Sequence, residues 1–112
     1  MFTVNVKPFS TNNMYMGRKV KSSKYRQYEA AVLTALPRNL VIPQGKLRLT
    51  LKIGVSSTLS DLDNALKPFI DCLQLKYGFN DKHIYRIFAT KEDVAKGKEY
   101  IKFEIAEWKG KR

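Results

Sequence analysis

Leu47, Leu49, Leu51, Ile53 and Val55 alternate with Arg48, Thr50 and Lys52, and no other stretch restricts the fold as tightly. A period of two places successive side chains on opposite faces of an extended backbone, so this segment is predicted to be a strand with one buried face and one wet, basic face. A sheet containing such a strand needs a layer over its apolar side. The sequence supplies two helices for that layer. Leu62, Leu66, Phe69, Ile70, Leu73 and Tyr77 fall at helical spacing and end at Gly78. Tyr25, Tyr28, Val32, Ala35 and Leu36 do so earlier, behind a Ser22 or Ser23 cap and before Pro37. Phe2 to Lys7 alternates until Pro8, while His83 to Lys91 and Tyr100 to Ile105 read as strands joined through a turn region at Gly97. The expected class is α+β: a single mixed β-sheet with two helices, in the order strand, helix, strand, helix, strand, strand. A chain of 112 residues is expected to form one domain.

Charge narrows the choice of partner. The chain has 21 Lys plus Arg against 10 Asp plus Glu, a formal charge of +11. Such a surface selects polyanions, above all the phosphates of nucleic acid. The hydrophobic content of 44% is that of a globular protein, so the charge does not signal disorder. No apolar run approaches the length of a bilayer span, and Met1 to Pro8 lacks the layout of a signal peptide; a soluble, cytoplasmic protein with no membrane partner is expected. Cys72 and His83 are the only residues of their types, too few for a zinc site, and Cys72 reads as a small core residue.

Against this basic background, Asp61, Asp63, Asp71 and Asp81 lie within one short segment. Grouped carboxylates do nothing for polyanion binding, but they do bind metal. Asp61 and Asp63 are two apart, on one side of an extended backbone but far apart around a helix, so a shared metal asks the helix to start after them. Mg²⁺ takes oxygen ligands and keeps several waters, so two carboxylates and a third from Asp81, with Mn²⁺ as a possible substitute, make an adequate site. Asp81 is expected to return to the pair through the turn at Gly78 or on a neighbouring strand. The competing reading is helix capping by Ser60 or Asp61. Asp63, Lys67, Asp71 and Gln74 form one polar stripe. Lys67 is suited to stabilise charge developing on phosphorus, whereas Asp71 and Gln74 read as a solvated helix face and His83 as structural. Pro68 interrupts the stripe, so the helix either begins late, near Asn64, or has distorted first turns.

A second segment, Gly17 to Arg26, carries Arg18, Lys19, Lys21, Lys24 and Arg26 and no acid. These five cations are candidate phosphate contacts, and Tyr15 is a candidate for stacking on an exposed base. Tyr25 and Tyr28 match the apolar face of the first helix and are expected in the core.

The run Asp61-Leu62-Asp63-Asn64, with Lys67, Asp71, the Gly78-Phe79 turn and Asp81, resembles the RusA family of Holliday junction resolvases. Their hallmark is D-x-D-N-x-x-K-x-x-x-D followed by a further acid after a glycine turn. The likeness extends to Pro8-Phe9-Ser10-Thr11-Asn12 and to the basic stretch behind it. It implies a homodimeric, Mg²⁺-dependent endodeoxyribonuclease, common in phages and prophages, that makes paired nicks in four-way DNA during recombination and repair. It further implies Asp61, Asp63 and Asp81 as metal-binding catalytic carboxylates, with Lys67 supporting catalysis. Here Asn80 precedes Asp81 and Lys82 follows it, where the family often has paired acids, and the stretch after Asp71 is slightly shorter. A basic DNA- or RNA-binding protein without catalysis, its aspartates serving as caps, is the alternative.

Overall fold

A computed structural model describes residues 1–17, 20–57 and 61–110. Four strands and two helices follow one another as β1 (Phe2–Val4), α1 (Ser23–Ala35), β2 (Leu47–Val55), α2 (Leu62–Tyr77), β3 (Ile84–Asp93) and β4 (Tyr100–Glu107). Short 3₁₀ turns at Thr11–Asn13 and Asp81–His83 precede α1 and β3. The strands form one mixed sheet ordered β1-β4-β2-β3, in which β2 and β3 are parallel and the other pairings antiparallel. This is the α+β architecture, in the element order, that the sequence predicts.

β2 lies inside the sheet, and its alternation sets both faces. Leu47, Leu49, Leu51, Ile53 and Val55 are all at most 4% exposed. Leu49 lies between Ile105 and Ile87, and Leu51 between Phe103 and Ala89, which extends the apolar face over three strands. Val32, Tyr25, Phe69, Cys72 and Leu73 of the two helices close the core over it. On the open face Arg48 pairs with Arg86, Thr50 with Phe88 and Lys52 with Lys102.

Two boundaries differ from the periodicity. β1 stops at Val4 instead of continuing to Lys7, because the Val6 N–H bonds back to the Val4 carbonyl at 3.0 Å and bends the chain away from β4. β3 and β4 run about two residues past the stretches read from sequence, to Asp93 and Glu107, since β3 is held against Leu47 to Val55 of β2 and β4 against Leu47 to Gly54.

At the end of β2, Gly54 opposes Tyr100, and a Cβ on Gly54 would lie 2.4 Å from the Tyr100 ring. That ring is anchored: its hydroxyl donates to Glu92, and Lys102 Nζ lies 5.2 Å from its centre. Burial, then Glu92, pushes the phenol up to about 12, and the same hydrogen bond, with Lys52, holds the Glu92 carboxyl below its usual range. Gly54→Ala therefore displaces an anchored ring and is expected to cost about 1–3 kcal/mol, read as a lower urea midpoint at unchanged m-value. A neutral result would show that the ring moves freely.

Candidate active site

The site is built around the N-terminal end of α2. Asp61 is the residue before the helix, with extended backbone at φ −87° and ψ 133°, and its carboxylate makes no capping bond to the first turn. One of its oxygens, Oδ2, accepts from Asn64 Nδ2 at 3.1 Å. The capping reading therefore fails for Asp61; Ser60 and the pair Arg18 and Lys19 lie outside the described residues. The helix begins at Leu62, which places Asp63 in its first turn. This corrects the expectation that helix starts only after the pair. An extended Asp61 followed directly by helix nevertheless leaves both acids at one helix end, where the axial dipole favours negative charge.

Pro68 does not delay the helix. A proline cannot donate to the carbonyl four residues back, which here is that of Asn64. The Thr11 hydroxyl donates to that carbonyl instead, at 2.7 Å. A side chain from the first 3₁₀ turn thus replaces the missing rung and ties the Pro8 to Asn12 stretch to the start of α2. Ser10 accepts from the Asn12 N–H and fixes that turn. Sequence reasoning missed Thr11, although Pro68 itself marks the orphaned acceptor.

Farther along α2, Lys67 Nζ lies 3.3 Å from Asp71 Oδ2, with the lysine side chain 58% exposed. The Gln74 amide donates to Asp71 Oδ1 at 3.3 Å, and its carbonyl oxygen accepts the Asp81 N–H at 2.9 Å. Asp71 and Gln74 are therefore not merely a solvated face. Gln74 holds the turn that carries Asp81, and Asp71 borders a cavity of about 310 Å³ shared with Tyr15, Lys21 and Glu29.

Asp81 does not return to the pair within one chain. It is fastened to Gln74, 11 residues beyond Asp63 along α2, or roughly 16 Å at 1.5 Å per residue. The sheet gives the same answer: β3 starts opposite Leu47, whereas α2 starts past the far end of β2 at Val55. The expected return through Gly78 fails because the left-handed cap at Gly78 (φ 75°) ends α2 at the opposite pole, and β3 then runs away from it. His83 shares the Asp81 end, in the same 3₁₀ turn. Among the described residues no three of His, Cys, Asp and Glu gather closely enough to hold a metal. The Asp61 and Asp63 carboxylates still fit a hard divalent cation, which needs one or two carboxylates with water and substrate oxygens.

The described residues on either side of positions 18 and 19 pair as a narrow hairpin. Tyr15 and Lys21 bridge, Met16 N–H bonds to the Val20 carbonyl at 2.7 Å, and Gly17 takes the left-handed conformation at φ 65°. Lys21 pairs with Glu29 at 2.9 Å and lies 5.5 Å from the centre of the Tyr25 ring, while Lys24 and Arg26 are exposed on the first turns of α1. Tyr15 is 46% exposed, and Tyr25 and Tyr28 are buried, as predicted. Burial raises the Tyr25 phenol well above its ordinary value. It also pushes the Cys72 thiol up to about 12, with Glu29 and Asp71 adding to the shift and Lys21 opposing it, which makes Cys72 an inert core residue.

The Thr11 rung is testable. Thr11→Val is expected to lower stability by about 1 kcal/mol, since a partly buried carbonyl loses its donor. Adding Pro68→Ala, which restores the N–H, is expected to recover most of that loss in urea unfolding. If the double variant unfolds no later than Thr11→Val alone, the hydroxyl is not substituting for the proline.

The chain matches the family model described as endodeoxyribonuclease RusA over residues 5–105. No curated protein matches it.

Proposed function

The chain belongs to the RusA endodeoxyribonuclease family, and from that premise we propose that it is a Mg²⁺-dependent resolvase that nicks four-way DNA junctions in pairs, as a homodimer, during recombination and repair. The observation that carries this reading is the uncapped Asp61 beside Asp63 at the head of α2, one helical turn from Lys67, in a chain of charge +11.

Asp61 and Asp63 would hold the cation, with Mn²⁺ as a substitute. Once bound, it supplies positive charge against the scissile phosphate, lowering the barrier to in-line attack by water. Asn64 steadies the Asp61 carboxylate through its side-chain amide. Lys67 stands one turn farther along the same helix, where its ammonium can leave Asp71 for a phosphate oxygen and stabilise charge developing in the transition state. Exchange is eased because the lysine end of the Lys67–Asp71 pair is exposed, and pairs with an exposed partner contribute little. Lys21, Lys24, Arg26 and the exposed Tyr15 lie on the hairpin and the start of α1, and would contact the phosphate backbone and an unstacked base at the branch. Arg18 and Lys19 extend the same basic set in sequence. A two-fold dimer carries two such sites, one for each of two opposed strands.

The test is cleavage of a synthetic four-way junction in millimolar Mg²⁺. Wild type is expected to cut it, Asp63→Asn to bind the junction but fall to background cleavage, and Lys67→Ala to lose about 10²–10³-fold in rate. A wild type that binds junctions identically with and without Mg²⁺ and never nicks them would instead be a binding protein.

The basic segment makes a separate prediction. Replacing Lys24 and Arg26 with alanine is expected to weaken junction binding and to flatten its log–log salt dependence by about 0.9 for each phosphate no longer neutralised. An unchanged slope would remove the start of α1 from the DNA surface.

A further inference from the structure

The two helices cover one face of the sheet and leave the other bare. On that bare face β2 and β3 depart from simple register at one place: Leu47 stands beside Ile84 but Arg48 beside Arg86, so Tyr85 is an extra, bulged residue. Without the bulge Tyr85 would stand beside Arg48, while Arg86 and Phe88 would turn toward the helices. The extra residue puts both of them on the open face. Like charges directly opposed on neighbouring strands repel, and Phe88, an apolar ring that burial would favour, is left 53% exposed. At the other end of the face Lys52 and Lys102 are also neighbours, but Glu92 lies 3.5 Å from Lys52, and Lys102 sits over the Tyr100 ring. Arg48 has no such partner among the described residues.

Clefts open on both sides of the arginine pair. One, of about 200 Å³, lies between the arginines, Thr50 and Phe88; the other, of about 310 Å³, lies between the arginines, Glu107, Trp108 and Lys109. Each has a cationic wall and an aromatic one. Phe88 is two residues past Arg86 on β3, and Trp108 bonds through its N–H to the carbonyl of Lys46, two residues before Arg48. Ring, cation pair and ring therefore follow one another across the face at steps of roughly 6.6 Å, at 3.3 Å per residue. A free phosphate would engage the arginines and neither ring. A duplex would do the same, because its base faces are closed inside the stack. A single strand offers phosphates and open base faces together, which is the pairing of charge and stacking that such strands select.

We propose that the open face of the sheet binds single-stranded DNA, with Arg48 and Arg86 holding a backbone phosphate and unpaired bases to either side stacking on Phe88 and Trp108. Lys109 adds charge at the rim against Glu107, and Lys46, whose Nζ lies 4.9 Å from the centre of the Tyr85 ring, stands beside the same cleft. DNA as the polymer follows from the endodeoxyribonuclease family of the chain. The surface itself uses none of the carboxylates of α2, which lies on the far side of the sheet. An unpaired strand held here leaves the nicking site free for another part of a branched molecule.

The probe is a labelled oligo(dT) of about 12 nucleotides, followed by anisotropy and by quenching of Trp108, the one tryptophan of the chain. Wild type is expected to bind and to be quenched, and Asp63→Asn to bind no less tightly. Phe88→Ala is expected to weaken binding about tenfold through the lost stacking. Arg48→Gln is expected to weaken it too and to flatten the log–log salt dependence by about 0.7, the slope for one phosphate of a single strand. Both variants keep the wild-type circular dichroism spectrum and the wild-type rate on a four-way junction. A wild type that takes up the oligomer but cuts no junction would refute the nuclease reading and leave this surface standing. The proposal is overturned if wild type shows no quenching, or if both variants bind as wild type does while Lys24→Ala with Arg26→Ala loses the oligomer. A duplex of equal length that binds as tightly and is as sensitive to Phe88→Ala, or an oligo(U) that binds more tightly, overturns the choice of single-stranded DNA. A Phe88→Ala variant altered in sedimentation but not in oligomer affinity would make the face a contact between copies, and the proposal falls.

Discussion

The parallel pairing of β2 with β3 decides where every functional group can stand. Two parallel neighbours cannot be joined by a tight turn, so the chain must cross from the end of β2 back to the start of β3. α2 is that crossing, 16 residues long, or roughly 24 Å at the helical rise. Its start belongs to one end of the β2-β3 pair and its finish to the other, and aspartates that are neighbours in sequence become distant in space. Clustering in the sequence is thus a poor guide to geometry.

The same crossing has to survive a proline in its second turn. Pro68 is buried, so the ring contributes to the core while its missing N–H leaves an acceptor to be satisfied, and an unpaired carbonyl there would offset much of the gain. Thr11 resolves the conflict from outside the helix. The segment from Pro8 to Asn12 thereby becomes part of the scaffold of the site even though none of its side chains is charged. Gln74 plays the matching part at the other end, one amide holding both Asp71 and the turn of Asp81. Each end of α2 is fixed by a neutral side chain, leaving the charged ones to act.

Legibility in the sequence followed the physics of each signal. The alternation of Leu47 to Val55 and the helical spacing of Leu62 to Tyr77 gave class and order directly, because burial enforces both periods. Tyr25 and Tyr28 belong to the core on the same ground, and Cys72 for want of a disulfide or zinc-site partner. Strand ends were less legible, since β1 is stopped by a local turn at Val6 and β3 is lengthened by its neighbour. The roles of Thr11 and Gln74 were illegible for a different reason. A hydrogen bond between residues 53 apart, such as Thr11 to Asn64, leaves no periodic trace, and only the proline hinted that a donor was wanted. The position of Asp81 belongs to the same class, because spacing along the chain does not say whether the segment after Gly78 folds back along α2 or stays at its end.

The pairing of Lys67 with Asp71 also has a physical consequence for a site of this kind. A lysine left alone one turn beyond two carboxylates would be drawn toward them, since opposite charges at i and i+4 attract and Asp63 stands at that distance. Asp71 offers an equivalent partner on the other side, and the structure places Lys67 there. The ammonium is thus held away from Asp63 by a contact worth only about 0.2–1 kcal/mol in exposed settings. A phosphate bringing a full negative charge competes easily with a bond that weak, so Lys67 needs no rearrangement beyond its own rotamer to change partners. Were the pair buried, its rupture would leave an uncompensated charge and the exchange would be far slower and costlier. Weakness is here the useful property: the lysine is positioned by Asp71 without being consumed by it, and the carboxylates at the head of α2 are left without an ion pair to it.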